Sequence, residues 1–199
     1  MADSKDNRLR SIGIWKNRPN RSGSGSRGSL AKFKIDYINN FIEENNIESM
    51  IDFGCGDLQV SSQFNVGNYL GIDIIEHKYP ENIKAKKFKT IVSRFDNFSH
   101  GERVELCTCL DVLYHILSDE AEYLKNSIQN IINHSSRYIV IYAQDSHNRS
   151  YDNWTNHMNN SPWRQIIESH GLKLISEQEE PKSGSTAKFF IYEKDVKKE

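Results

Sequence analysis

A chain of 199 residues suits one hydrophobic core rather than two. With 37 % apolar, 27 % charged and 11 % aromatic residues the core is lean, yet wholesale disorder is excluded. The net charge of −1 conceals a basic arm: residues 1–28 carry Lys5, Arg8, Arg10, Lys16, Arg18, Arg21 and Arg27 against Asp3 and Asp6, +5 in all, which leaves −6 for the remainder.

Such an arm can touch nucleic acid, cover an anionic ligand or remain solvated. Residues 22–29, SGSGSRGS, are too rich in Gly and Ser for a helix or strand and read as a loop. From Ser29 onward Leu30, Phe33, Tyr37, Ile38, Phe41 and Ile42 recur at helical spacing, with Ser29 placed as a cap and Asn45-Asn46 as the stop. Short apolar runs at 49–53, 69–74, 89–93, 104–110 and 137–143 read as strands. Between the last two, residues 119–133 place Ala121, Leu124, Ile128, Ile131 and Ile132 on one helical face. A polar stretch, 144–161, precedes a helix at 162–170 and two β runs at 172–177 and 186–192 that suit an antiparallel sheet edge. Near-continuous apolar strands alternating with helices predict an α/β domain around a mainly parallel sheet buried on both faces.

No run approaches the ~18–20 apolar residues of a membrane span, and the N-terminus has no apolar signal core. A soluble, cytoplasmic protein with no membrane partner is expected. Cys55, Cys107 and Cys109 contain no CxxC pair, so neither a disulfide framework nor a metal site is expected, and Cys107 and Cys109 read as reduced core residues.

The run IDFGCGDLQ sets Gly54 and Gly56 at the end of the first strand, where the chain is expected to turn into a helix and its backbone can lie against a ligand. Seventeen residues beyond Gly56 the second strand ends in Asp73, placed to accept both hydroxyls of a ribose. A dinucleotide fingerprint would need a third Gly, but Leu58-Gln59 stands there, which disfavours pyrophosphate. A ribose ligand without phosphate fits better, and S-adenosyl-L-methionine (SAM) is the common one.

With IDFGCGD, YLGIDI and ELCTCLDVLYHI on strands one, two and four, the chain resembles the class I SAM-dependent methyltransferases over residues 15–193. It is similar in particular to small members in which a Trp and an SGxGS loop, here Trp15 and residues 22–26, precede the first helix. The resemblance implies a Rossmann-like seven-stranded, mainly parallel sheet flanked by helices, its last strand antiparallel, with SAM across the ends of strands one, two and four. It places Asp52, Gly54 and Gly56 around the methionine moiety, Asp73 and Ile74 at the ribose and adenine, Asp96 at the adenine amino group and Asp111 at the mouth. It also makes Arg21, Ser22 and Gly23 part of a lid, so that residues 1–28 form a basic flexible arm with a lid loop and 29–199 one methyltransferase domain.

Methyl transfer from a sulfonium is an in-line displacement in which alignment supplies most of the acceleration. A base is needed only where the acceptor keeps its proton near neutral pH, and His115 and His157 are the candidates. LDVLY lacks the paired prolines of DNA amino-methylating enzymes and no Pro-Cys pair occurs, which disfavours DNA; Tyr142-Ala143-Gln144-Asp145 lacks the Lys of a ribose methylating set. A small-molecule acceptor is favoured, with a protein side chain or an RNA base as alternatives, walled by 144–163 with Tyr151, Trp154, His157 and Trp163. Two rival classes share this plan: a nucleotide-using oxidoreductase, opposed by the missing Gly, and a non-catalytic module of the same fold whose basic arm holds RNA.

Overall fold

The computed structural model of the protein describes residues 9–17, 23–144, 161–179 and 185–195. Its strands are β1 (Ser49–Phe53), β2 (Asn68–Asp73), β3 (Lys87–Val92), β4 (Val104–Leu110), β5 (Ser135–Gln144), β6 (Lys173–Glu179) and β7 (Ala187–Glu193), and its α-helices α1 (Arg10–Lys16), α2 (Gly28–Glu44), α3 (Ala121–His134) and α4 (Trp163–Glu168). They build one sheet in the order β3-β2-β1-β4-β5-β7-β6. β1 to β5 pair in parallel, while β7 runs antiparallel between β5 and β6. The expected Rossmann-like architecture with an antiparallel last strand is the observed one. Beyond the expectation, β7 is inserted inside β6, which therefore forms the edge.

The alternation of strand side chains divides the core into two layers. Ile51, Phe53, Ile72, Cys107, Cys109, Ile139 and Ile141 pack towards Ile128 and Ile131 of α3, Trp163 and Ile167 of α4, and Ile12 of α1. Met50, Tyr69, Leu106, Val140, Tyr142 and Phe189 pack towards Ile38, Phe41 and Ile42 of α2. Helices on both faces explain why the strands read as unbroken apolar runs.

Three local expectations are corrected. No α-helix follows the Gly54–Gly56 turn: Leu58 adopts a left-handed φ of 61° with its side chain in the core, and the chain passes instead into a short 3₁₀ turn, Ser61–Gln63. Arg27 rather than Ser29 occupies the N-cap of α2, without a side-chain cap bond. Within the expected arm, Leu9–Asn17 is packed: Ile12 is only 3 % exposed, and the Ser11 amide donates to Glu120 Oε1 over 3.0 Å at the start of α3. Among the described residues no helix is long and apolar enough to cross a membrane.

Candidate functional site

The chain steps outward from β1 to β3, then crosses to β4 and steps the other way. At such a reversal the loops leaving neighbouring strands part and leave a crevice outside the carboxyl ends. A cavity of about 450 Å³ opens there. The β1 turn (Gly54 to Gly56) and the end of β2 (Asp73 to Ile75) line one side, and the end of β4 (Leu110 to Val112) with Tyr142 and Gln144 of β5 lines the other. Gly23, Gly25 and Ser26 contribute from the segment before α2, Trp15 from α1, and Tyr114 and His115 from the turn after β4.

On the β1–β2 side backbone groups set the geometry. Gly54 has a φ of +87°, and a Cβ on it would lie 2.2 Å from Val112 Cγ2, so glycine is required where the two loops pass. Asp73 accepts hydrogen bonds from the Gly56 amide at 2.9 Å and the Ile75 amide at 3.1 Å. The buried His77 places Nε2 3.4 Å from Asp73 Oδ1, close but not aligned as a hydrogen bond. A carboxylate offers about four acceptor positions, so two backbone donors leave capacity for two more. Cys55 also lines this side, but burial raises its thiol pKa well above 9.0 and Asp73 and Asp52 push the same way, which keeps it protonated rather than a thiolate nucleophile.

Across the cavity the end of β4 is held by side chains. Asp111 takes a left-handed φ of 61°, and its amide donates to the Tyr142 carbonyl over 2.8 Å. Its Oδ1 accepts from the Tyr114 hydroxyl at 2.8 Å, and its Oδ2 pairs with the Lys34 ammonium. Lys34 is 1 % exposed; it donates to the Gly25 carbonyl over 2.8 Å and sits 4.6 Å from the Tyr142 ring centroid. His115 meets the Trp15 ring edge-on at 4.9 Å and the Tyr114 ring at 4.3 Å.

The structure thus brings Gly23, Gly54, Gly56, Asp73, Ile74, Asp111 and His115 to one cavity. Asp52 and Asp96 lie outside its lining. Asp52, 3 % exposed, accepts from the Tyr69 hydroxyl at 2.9 Å and Thr108 Oγ1 at 2.7 Å inside the sheet. Burial raises its pKa above 3.8, against the opposing pull of hydrogen bonds from Thr108, Tyr69 and Ser61. Asp96 is engaged by Arg94 in a two-pronged pair of 2.9 and 2.7 Å, while its neighbour Phe95 lines the cavity. Arg21, Ser22 and His157 fall outside the described residues, as do Tyr151 and Trp154. Lys34 escaped the sequence reading, although it stands four residues after Leu30 and four before Ile38, on the apolar stripe of the helix, where a charge calls for a buried partner.

No protein-family model matches the sequence, and a search among curated proteins gives no match. Solved structures do match. The N-methyltransferase NodS from Bradyrhizobium japonicum WM9, in complex with S-adenosyl-L-homocysteine (SAH), aligns with a TM-score of 0.67 at 15 % identity over 96 % of this chain and 100 % of that one. The magnesium protoporphyrin IX methyltransferase from Synechocystis PCC 6803 with bound SAM gives 0.62 at 13 % identity, over 92 % of this chain and 97 % of that one. The fold is that of the SAM-dependent methyltransferases. A SAM-dependent methyltransferase from Clostridium acetobutylicum ATCC 824 shares it with a TM-score of 0.59 at 11 % identity, over 82 % and 91 % of the two chains. In this methyltransferase fold the cavity occupies the switch between β1 and β4, on whose rim Asp73 and Asp111 face each other across the glycine turn.

Proposed function

We propose that the chain is a cytoplasmic methyltransferase that uses SAM to methylate a small molecule. The observation that carries this reading is Asp73, fixed by two backbone amides beside Gly54 and Gly56 and retaining acceptor capacity for a ribose diol. Ile74, Ile75 and Phe95 supply an apolar slot for a purine ring. Asp111 offers its remaining lone pairs to an ammonium group at the methionine end, and the Gly23–Ser26 segment closes over that end as a lid.

SAM supplies a methyl group already activated by its sulfonium, so the protein's task is to bind, align and exclude water. Trp15, Tyr114 and His115 form the aromatic wall on the acceptor side, and His115 takes the acceptor's proton as the methyl is transferred. In this reading Trp15 works beside Gly23, Gly25 and Ser26 at the mouth.

Calorimetric titration with SAM, SAH and a nicotinamide dinucleotide tests the cofactor: SAM and SAH bind in the micromolar range, and preference for the dinucleotide overturns the reading. Radiolabelled SAM offered with small molecules, RNA and protein then tests the acceptor. Label appearing only in RNA or protein removes the small-molecule assignment, and an RNA complex without transfer supports the binding-module alternative. With an acceptor in hand, His115→Asn lowers turnover ~10²–10⁴-fold at unchanged SAM affinity. Turnover within tenfold of wild type assigns His115 to packing.

A further inference from the structure

Lys34 is the most deeply buried charge near the cavity, and every partner it has belongs to a different part of the rim. The Gly25 carbonyl comes from the segment before α2, the Asp111 carboxylate from the end of β4, and the Tyr142 ring from β5. A Cβ on Gly25 would lie 2.7 Å from Asp111 Oδ2 and 3.3 Å from Lys34 Nζ, so the segment is seated directly on the ion pair. A buried ammonium without these partners would be strongly disfavoured. A second ionic link to the same segment, Arg27 Nη2 to Asp57 Oδ2 at 2.7 Å, has 49 % of its arginine side chain exposed. Salt screens an exposed pair of that kind and leaves a buried one largely intact.

We propose that Lys34 is the positioning residue of the site: its ammonium fastens the Gly23–Ser26 segment onto the end of β4 and so sets the closed position of the cavity's cover. The tether acts whatever occupies the cavity, whereas its effect on SAM rests on the methyltransferase reading. Lys34 does not touch the reacting atoms; it fixes Asp111, which does face the cavity, and the chain that lies above it.

Amide hydrogen exchange of the ligand-free full chain, in low salt and in 1 M NaCl, tests the tether. Lys34→Met leaves an unpaired carboxylate and lowers the melting temperature, so the paired variant Lys34→Met/Asp111→Asn, which removes that charge, is measured beside it and beside Asp111→Asn alone. Exchange over residues 23–27 becomes about tenfold faster in both Lys34 variants while residues 35–44 keep their rates, as expected for local opening. Wild type and Arg27→Ala keep slow exchange in 1 M NaCl, where the Debye length is ~3 Å. SAH affinity in the paired variant falls about tenfold below that of Asp111→Asn alone. Unchanged exchange over 23–27 in the paired variant overturns the proposal, as does acceleration spread equally through α2, which marks Lys34 as a general stability residue. Failure of SAH to bind wild type removes the methyltransferase reading and leaves the tether to be judged by exchange alone.

Discussion

The two sides of the cavity hold equivalent carboxylates by different means. Asp73 is fixed by backbone amides seventeen residues back and two residues on, whereas Asp111 is fixed by a lysine side chain 77 residues away and by a tyrosine hydroxyl. The first arrangement depends on the path of the main chain and fails when a Cβ obstructs that path. The second depends on charge balance between distant elements and fails when one partner is neutralised. Steric and electrostatic substitutions should therefore act selectively on the two sides.

The largest effect is expected from Gly54→Ala. Its methyl collides with Val112 at a left-handed φ, costing about 1–2 kcal/mol for the backbone and about 1–3 kcal/mol for overpacking. A chain of this size then melts ~4–20 °C lower and loses SAM binding, and adding Val112→Ala restores part of both. A melting temperature equal to wild type would remove the steric account of this side.

Asp73→Ala comes next. It removes the acceptor of two amides together with the proposed ribose contacts, and SAM and SAH affinity falls ~10²-fold, about 2.7 kcal/mol, in a calorimetric titration. Equal affinity in wild type and variant would take Asp73 out of the ligand site.

Ile12→Ala sharpens the comparison from outside the cavity. Ile12 belongs to the buried core, so truncation costs about 2 kcal/mol, or ~4–8 °C in melting temperature, while the β1–β2 side keeps its geometry. An unchanged melting temperature would return α1 to the status of a loose arm.

Asp52→Asn gives the smallest and most pH-dependent change. Burial raises the folded-state pKa of Asp52 above 3.8, so the folded chain keeps this proton longer than the unfolded chain. Wild-type stability therefore falls, through this group, as pH rises from 3.8 to the raised folded value, and the asparagine variant lacks that decline. Melting curves between about pH 4 and pH 7 check the sign; parallel curves would show that burial does not perturb Asp52.

What could be read from the sequence follows the same division. The Gly54 turn, Asp73 and the strands are legible because their signals are local: a glycine pair, a strand-end acid and short apolar runs. Lys34 and Asp111 meet only after the sheet has formed, and nothing near Asp111 announces a partner in α2. Asp52 is placed at the ligand by the resemblance alone, and an unbroken apolar strand does not reveal which face an acid takes; its register neighbour Thr108 and the nearby Tyr69 supply the interior partners. Asp96 is claimed by Arg94 two residues earlier, a pairing visible in SRFDNF once the arginine is weighed beside the acid. The burial of α1 rests on a few apolar residues within a basic segment, too few to establish a helical period.

The sheet terminates at β3 on one side and β6 on the other. An outer strand presents unmatched main-chain donors and acceptors, which invite a further strand from a second molecule. Here Lys87 and Lys89 project from β3, and Lys173, Glu177 and Glu179 from β6, all exposed. Any strand laid along either margin would have to strip water from these charges, so these lysines and glutamates discourage end-to-end sheet growth.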